Sequence, residues 1–209
     1  MTATAAVPML GTLDAIYQRR AVRSYFPEPV DEPTVRRLLD AAVHAPTAMH
    51  EEPWAFVVVQ DRAVLKRISD RAKAMMVAEA TAHRELLRAP GAAPANRHVA
   101  MLTEPAFNIF YDAGTLIVIC GKQLGQFVVA DCWLAAENLM LAARALGLGS
   151  CCIGFALPAL HAPDVKHELG IPDDVDAVAA VILGVPRGET PPIPRKAPVV
   201  LRWLRAANG

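Results

Sequence analysis

The sequence has no charge of one sign to spare. Its 21 Lys and Arg residues are matched by 21 Asp and Glu residues over 209 positions. A nucleic-acid binder needs a basic excess to neutralise phosphates, so that class is excluded. What stays open is a local basic site for one small anion. Metal-binding patterns are also missing. The four cysteines, Cys120, Cys132, Cys151 and Cys152, form no CxxC pair and stand at no spacing to histidine that suits zinc. Cys151 and Cys152 are adjacent, an awkward geometry for a mutual disulfide. The four therefore read as buried thiols in a reducing compartment.

Several other signatures are absent. No basic stretch precedes an apolar run in residues 1–11, which argues against a secretory signal. The longest apolar stretch, Phe127 to Leu148, is interrupted by Asp131, Glu137, Asn138 and Arg144, whereas a membrane span carries few or no charges at its centre. The expectation is a soluble, cytoplasmic protein. Gly147, Gly149 and Gly154 follow a helical stretch at the wrong spacing for a dinucleotide-binding fingerprint. There is no P-loop, no HExxH and no serine in a triad pattern. No repeat or linker divides the chain, so a single domain over 1–209 is expected.

What is present is a core. Hydrophobic residues make up 54% and charged residues 20%, which predicts a packed fold and not disorder. A helix is predicted from Thr12, with Thr12 as its cap and Leu13, Ile16 and Tyr17 on one face, ending near Arg19 or Arg20. Asp31 caps a second helix, with Pro33 in its first turn and Val35, Leu38, Leu39 and Ala42 as its apolar stripe. Trp54–Val59 reads as a strand buried on both faces. Asp61 caps a third helix carrying Val64, Leu65, Ile68, Ala72 and Met75, with Arg62, Lys66, Arg67, Asp70, Arg71 and Lys73 on a solvated face. Ala89–Pro105 has no periodicity and two readings, a mobile lid or an inert insertion. Leu116–Cys120 and Ala177–Leu183 are further strands, and Ser150–Phe155 is a strand or a ligand-facing loop. Phe127–Leu146 is a long helix, apolar on most sides, for which a partner subunit is the expected cover. Short helices follow Pro158 and Pro163. Residues 186–209 form an extended, proline-rich tail in which Leu201, Trp203 and Leu204 are free to pack on a partner. Alternating helices and strands give an α/β or α+β class.

Two stretches carry chemistry. Arg19, Arg20 and Arg23 lie within five positions, and Arg195 and Lys196 stand far along the chain. Guanidinium groups converging on one phosphate bind it bidentately, although each cluster taken alone reads as a solvated surface. Ala45-Pro46-Thr47-Ala48-Met49-His50-Glu51-Glu52-Pro53-Trp54 is a polar loop running into a strand. His50, Glu51 and Glu52 suggest acid–base work or plain exposure.

In combination these pieces resemble the FMN-dependent nitroreductase family. That family's first motif is basic–basic–Ser–x–basic and its second is Ala-Pro-Ser-x-x-Asn-x-Gln-Pro-Trp. Here Arg19-Arg20-Ala21-Val22-Arg23 and the loop from Ala45 stand in those places. Asn138 to Gly149 looks like the family's interface helix with its glycine-rich end. Leu183-Gly184-Val185-Pro186 and Pro194-Arg195-Lys196 look like its closing strand and phosphate contact. The resemblance runs from Leu13 to about Pro198. It implies an α+β fold, a mixed central sheet flanked by helices, in an intertwined homodimer with FMN at the interface and NAD(P)H as co-substrate. Arg19, Arg20, Ala21 and Arg23 match the segment that holds the phosphate, ribityl chain and pyrimidine side, and Arg195 matches the second phosphate contact. Pro46, Thr47, Ala48 and His50 match the loop that reaches the flavin from the other subunit. Cys152, Ile153 and Gly154 match the backbone along the ring near N5, and Asn108 matches, at an irregular spacing, a pyrimidine contact. Ala21 replaces Ser, His50 replaces Asn and Glu52 replaces Gln. The implied activity is hydride transfer from NAD(P)H through flavin to a nitroaromatic, quinone or similar acceptor. The alternatives are a flavin-sequestering protein with little turnover, or a specialised member that dehalogenates, dehydrogenates or destroys flavin.

Overall fold

The computed structural model describes residues 10–86 and 101–205. Four strands form one antiparallel sheet in the order β1-β2-β4-β3. They are β1 (Trp54–Val59), β2 (Thr115–Lys122), β3 (Gly149–Cys152) and β4 (Val175–Gly184). The longer helices are α1 (Thr12–Gln18), α2 (Glu32–Val43), α3 (Arg62–Leu86) and α4 (Val128–Ala145), with short α5 (Leu157–Leu160) and α6 (Pro163–Glu168) after β3. The class is α+β, as the motifs implied. Among the described residues, parallel pairing enters only through a single bridge between Ala21 and Ser150.

The central strands are apolar throughout because helices cover both faces. On one face Ile117, Ile119, Ala179, Val181 and Leu183 meet Leu38 and Ala42 of α2 and Ala135, Ala136, Leu139 and Ala143 of α4. On the other, Leu116, Val118, Cys120, Ala180 and Ile182 meet Leu65, Ile68 and Ala72 of α3 together with Ile109 and Phe110. Each large side chain buried this way contributes about 1.5–3 kcal/mol. Asp31 caps α2 as expected, accepting from the Thr34 N–H at 3.0 Å. Asp61 caps α3, accepting from the Ala63 and Val64 N–H groups at 2.7 and 3.0 Å.

Four expectations change. Thr12 is the first helical residue and Gly11 occupies the cap position, with no side-chain cap bond. Leu13, Ile16 and Tyr17 do share a face, but that face is exposed in the single chain and only Ala15 is buried. β1 is an edge strand. Phe56 packs against the α2–α4 layer, and Ala55 and Val57 against the α3 layer, which makes the run apolar on both sides. With one neighbour among the described residues it is only partly covered, and Val58 is exposed. Lys73 is buried and does not belong to the solvated face. Its Nζ donates to the Phe107 carbonyl at 2.7 Å and sits 3.5 Å from Asp70 Oδ1. Of the stretch Ala89–Pro105, residues 89–100 lie outside the described residues, while residues 101–103 are helical with Leu102 in the core.

Candidate flavin site

The basic segment is held as an extra strand between two ends of the sheet. The Val22 N–H donates to the Ser150 carbonyl of β3 at 3.1 Å. Farther on, the Phe26 N–H donates to the Val185 carbonyl and the Arg187 N–H to the Ser24 carbonyl, both at 2.9 Å. Two side chains lock it inward. Val22 rests on Gly149, where a Cβ would come within 2.9 Å of its side chain. Tyr25 rests on Gly184, where a Cβ would meet its ring at 3.0 Å. The buried Tyr25 hydroxyl donates to the Val22 carbonyl at 2.8 Å. Burial, with Cys151 beside it, pushes that hydroxyl's pKa upward against the pull of Arg23, so it stays a donor. The segment is therefore rigid where its arginines leave it.

Arg19 and Arg20 border a cavity of about 410 Å³ between this segment, the start of β3 and residues 186–192. Arg144, from the last turn of α4, opens onto the same cavity. The Arg19 and Arg144 Nε atoms are both buried without a hydrogen-bond partner. Arg19 Nε lies 3.4 Å from Glu137 Oε1, an ion pair without hydrogen-bond alignment. Arg144 Nη2 donates to Gln18 Oε1 at 2.8 Å, and Arg20 Nη1 donates to the Tyr17 and Arg19 carbonyls at 2.6 and 2.8 Å. Three guanidinium groups, two of them (Arg19 and Arg144) with a buried, unfilled Nε donor, form a cradle for a compact oxyanion.

The other expected residues divide. Ala21 pairs with Ser150 beside this cavity. Arg23 is turned away from Arg19, its guanidinium 5.9 Å from the centre of the Tyr111 ring. Asn108 and Arg23 both line a second cavity, of about 440 Å³. Both ends of its side-chain amide serve its own turn, bonding Asp112 Oδ1 at 3.1 Å and the Phe110 N–H at 2.9 Å. Cys152 is half-buried with its Sγ 3.5 Å from Met140 Sδ, and burial pushes its thiol up to about 11. The Ile153 N–H is taken by the Ala180 carbonyl at 2.8 Å. Gly154 is exposed, and a Cβ there would meet nothing within 4 Å, which leaves a flat face open beside the backbone. Arg195 lies exposed in the extended tail, and the lining of the Arg19–Arg20 cavity reaches only to Pro192.

Pro46, Thr47, Ala48 and His50 form a raised loop that closes in a single 3-10 turn at Ala48–His50. Met49, His50 and Glu52 all have positive φ, at 55°, 56° and 44°. Left-handed backbone at three non-glycine residues in four positions is strained, and such strain persists where surrounding contacts hold it. The holding contact comes from α4. Both carboxylate oxygens of buried Asp131 accept from the Ala48 N–H at 3.3 Å.

The sequence pattern of the Nitroreductase family matches residues 16–185. This chain belongs to the nitroreductase family. Among nitroreductase-family relatives, a protein of Archaeoglobus fulgidus is 32% identical over 178 residues, spanning 85% of this chain and 86% of its own. Its provisional name joins NADH dehydrogenase and NAD(P)H nitroreductase. The 5,6-dimethylbenzimidazole synthase of Rhodospirillum rubrum is 32% identical over 187 residues, spanning 86% and 84%. The crystal structure of an FMN-bound nitroreductase from Bacteroides fragilis has the same fold, with a TM-score of 0.72 at 23% identity over 95% of this chain and 100% of that one.

Within this nitroreductase fold, sequence reading missed Arg144 and Asp131. In the sequence both stand only as interruptions of an apolar helix. A signal existed: Asp131 and Arg144, like Glu137, are charges that an apolar helix does not carry without partners. No described helix is long and apolar enough to cross a membrane.

Proposed function

We propose that the chain is an FMN-dependent oxidoreductase, acting as a homodimer, that moves hydride equivalents from NAD(P)H to an acceptor such as a nitroaromatic or a quinone. The observation that carries this reading is the cradle of Arg19, Arg20 and Arg144, in which the buried unpartnered Nε atoms of Arg19 and Arg144 fit the phosphate of FMN. Bound FMN would supply the hydride chemistry at its ring. The protein's own part is placement. Arg19, Arg20 and Arg144 hold the phosphate, and Arg195 closes over it once the tail is fixed. The open face at Gly154 admits a flat ring against β3, and Arg23 faces the pyrimidine side. The Pro46–His50 loop reaches the site from the partner subunit, held in its strained form by Asp131. Such chemistry needs no dedicated side-chain acid or base.

Exposed apolar faces support the dimer. Phe127, Val129, Trp133 and Leu134 of α4 are exposed in the single chain, as are Leu13 and Tyr17 of α1 and Leu201, Trp203 and Leu204 of the tail. Faces of this kind mark association surfaces. The likeness to 5,6-dimethylbenzimidazole synthase favours a second reading, a specialised member of the family, such as one that destroys flavin. One experiment covers both. The purified protein's visible spectrum is recorded, its chromophore released by heat and identified, and NAD(P)H oxidation with menadione or nitrofurazone followed. Released FMN with turnover supports the oxidoreductase. FMN that disappears under reduction in air supports the second reading. FMN-loaded protein that does neither is a flavin carrier, and a colourless protein that fails to take up FMN refutes the proposal.

A further inference from the structure

A polar side chain taken out of water without a partner is costly, so buried polar groups are nearly always hydrogen-bonded. Six polar or charged residues are buried among the described residues: Ser69, Lys73, Thr115, Asp131, Ser150 and Lys166. Five of them find partners within the chain. Ser69 Oγ accepts from the Ile109 N–H at 3.1 Å. Thr115 Oγ1 accepts from the Val30 N–H at 2.9 Å and from Gln60 Nε2 at 3.0 Å. Lys73 Nζ donates to the Phe107 carbonyl at 2.7 Å, Lys166 Nζ donates to the Asp173 carbonyl at 3.0 Å, and Asp131 accepts from the Ala48 N–H at 3.3 Å. Ser150 is the exception. It is 2% exposed, and its hydroxyl forms no hydrogen bond among the described residues.

The strand decides where that hydroxyl lies. Side chains alternate between the two faces along β3. Cys151 belongs to the cluster on the α3 side, with Val22 and Tyr25. Ser150 and Cys152 therefore face the α4 side, where Cys152 meets Met140. Arg144 comes to that side from α4, and Arg19 lies there beside Glu137. Ser150 lines the same cavity as Arg19, Arg20 and Arg144. Its backbone is fixed on both flanks, because its carbonyl accepts from the Val22 N–H at 3.1 Å and the residue pairs with Leu183 of β4. Ala21, its bridge partner in the basic segment, carries only a methyl group and offers the hydroxyl nothing.

We propose that Ser150 is a cofactor-binding residue whose hydroxyl donates to a phosphate oxygen of FMN, alongside Arg19 and Arg144. The inference rests on the FMN reading and adds to it an uncharged donor from β3. Three donors beside one cavity are unfilled: the Arg19 and Arg144 Nε–H groups and this hydroxyl. A hydroxyl is able to accept from a guanidinium, yet neither Nε–H bonds to it. All three are satisfied at once by a group made only of acceptors, and a phosphate is such a group. A single ribityl hydroxyl cannot serve them together.

The test measures FMN and riboflavin binding by flavin fluorescence quenching in wild type and Ser150→Ala, together with the Tm of each protein freed of flavin. The substitution removes one oxygen and leaves the backbone pairing of β3 in place. FMN affinity should fall about tenfold or more, with riboflavin affinity unchanged. The flavin-free Tm should stay level or rise, because replacing an unpartnered buried hydroxyl by a methyl group removes a desolvation cost. A lower Tm with both flavins weakened alike would show a structural hydroxyl and overturn the proposal. Equal losses for the two flavins at an unchanged Tm would place the hydroxyl away from the phosphate and overturn it too. Wild type that binds FMN no more tightly than riboflavin refutes the phosphate cradle, and this assignment with it. A preference for FMN that persists undiminished in Ser150→Ala refutes the assignment of Ser150 alone and leaves the cradle standing.

Discussion

Replacing Arg144 tests the cradle most directly, because this residue lies outside the basic motif and on a helix with other duties. Its Nε is buried and unpartnered beside the Arg19–Arg20 cavity. A hydrogen bond from a guanidinium to a phosphate contributes about 1.5–3 kcal/mol, so Arg144→Ala should raise the FMN dissociation constant by about 10–150-fold. Riboflavin, which lacks the phosphate, should bind the variant and wild type equally. The comparison matters because Arg144 also has structural work. It bonds Gln18 of α1 at 2.8 Å and sits in the last turn of α4, where a cation contributes about 0.3–1 kcal/mol. A modest fall in Tm is therefore expected. Flavin fluorescence quenching gives both constants, and Arg144→Lys, which keeps the charge but loses the fork, should recover part of the FMN affinity. Equal losses for FMN and riboflavin would mean that Arg144 only props α1 against α4. No loss for either would falsify the cradle.

Three further outcomes follow from the structure. Asp131→Ala leaves the half-buried Ala48 N–H without its acceptor, so stability should fall by about 1 kcal/mol and FMN affinity with it; a variant with unchanged Tm and unchanged affinity would show that Asp131 does not hold the loop. Trp133→Glu, on the exposed face of α4, should yield a monomer in sedimentation analysis that no longer retains flavin, and a flavin-loaded monomer would refute the shared site. Burial pushes the Cys120, Cys132 and Cys152 thiols from 9.0 up to about 11. The folded state thus holds these protons more tightly, its stabilisation is complete below about pH 9, and it is lost as pH rises through 11. Tm should decline across that window, less steeply in Cys152→Ala, and parallel curves for the two proteins would contradict the assignment.

The elements were legible where local chemistry decides them. Asp31 and Asp61 announce helix starts because their carboxylates accept N–H groups two or three positions on, and the structure shows both caps. The strands at 115–122 and 175–184 were legible because both faces are covered and apolar runs mark that. Placement across the chain was not. Whether Val58 is covered depends on β1 having one neighbour, which no local pattern records. Lys73 looked like one more surface cation of α3, and only the return of the chain at Phe107 supplies its buried acceptor. The same limit applied to the site. Arg19, Arg20 and Ala21 were visible as a motif, whereas Arg144 joins them from more than 120 positions away, and Arg23 turns to a different cavity from its neighbours in sequence.

That turn follows from the geometry of an extended segment. The basic stretch runs along the edge of β3, and Val22 and Tyr25 are fixed inward by Gly149 and Gly184. With those two positions pinned, the arginines between and before them have little choice of side. Arg19 falls beside Glu137 and α4, and Arg23 falls beside Tyr111 on the α3 side. The edge of the sheet therefore separates two cavities that share one short peptide. A substitution that shifts this peptide should affect both together. Gly149→Val is such a change, since even a Cβ at position 149 would press on Val22 at 2.9 Å, and overpacking of this kind costs about 1–3 kcal/mol. Substitutions at Arg144 or Arg62 should instead affect one cavity and spare the other.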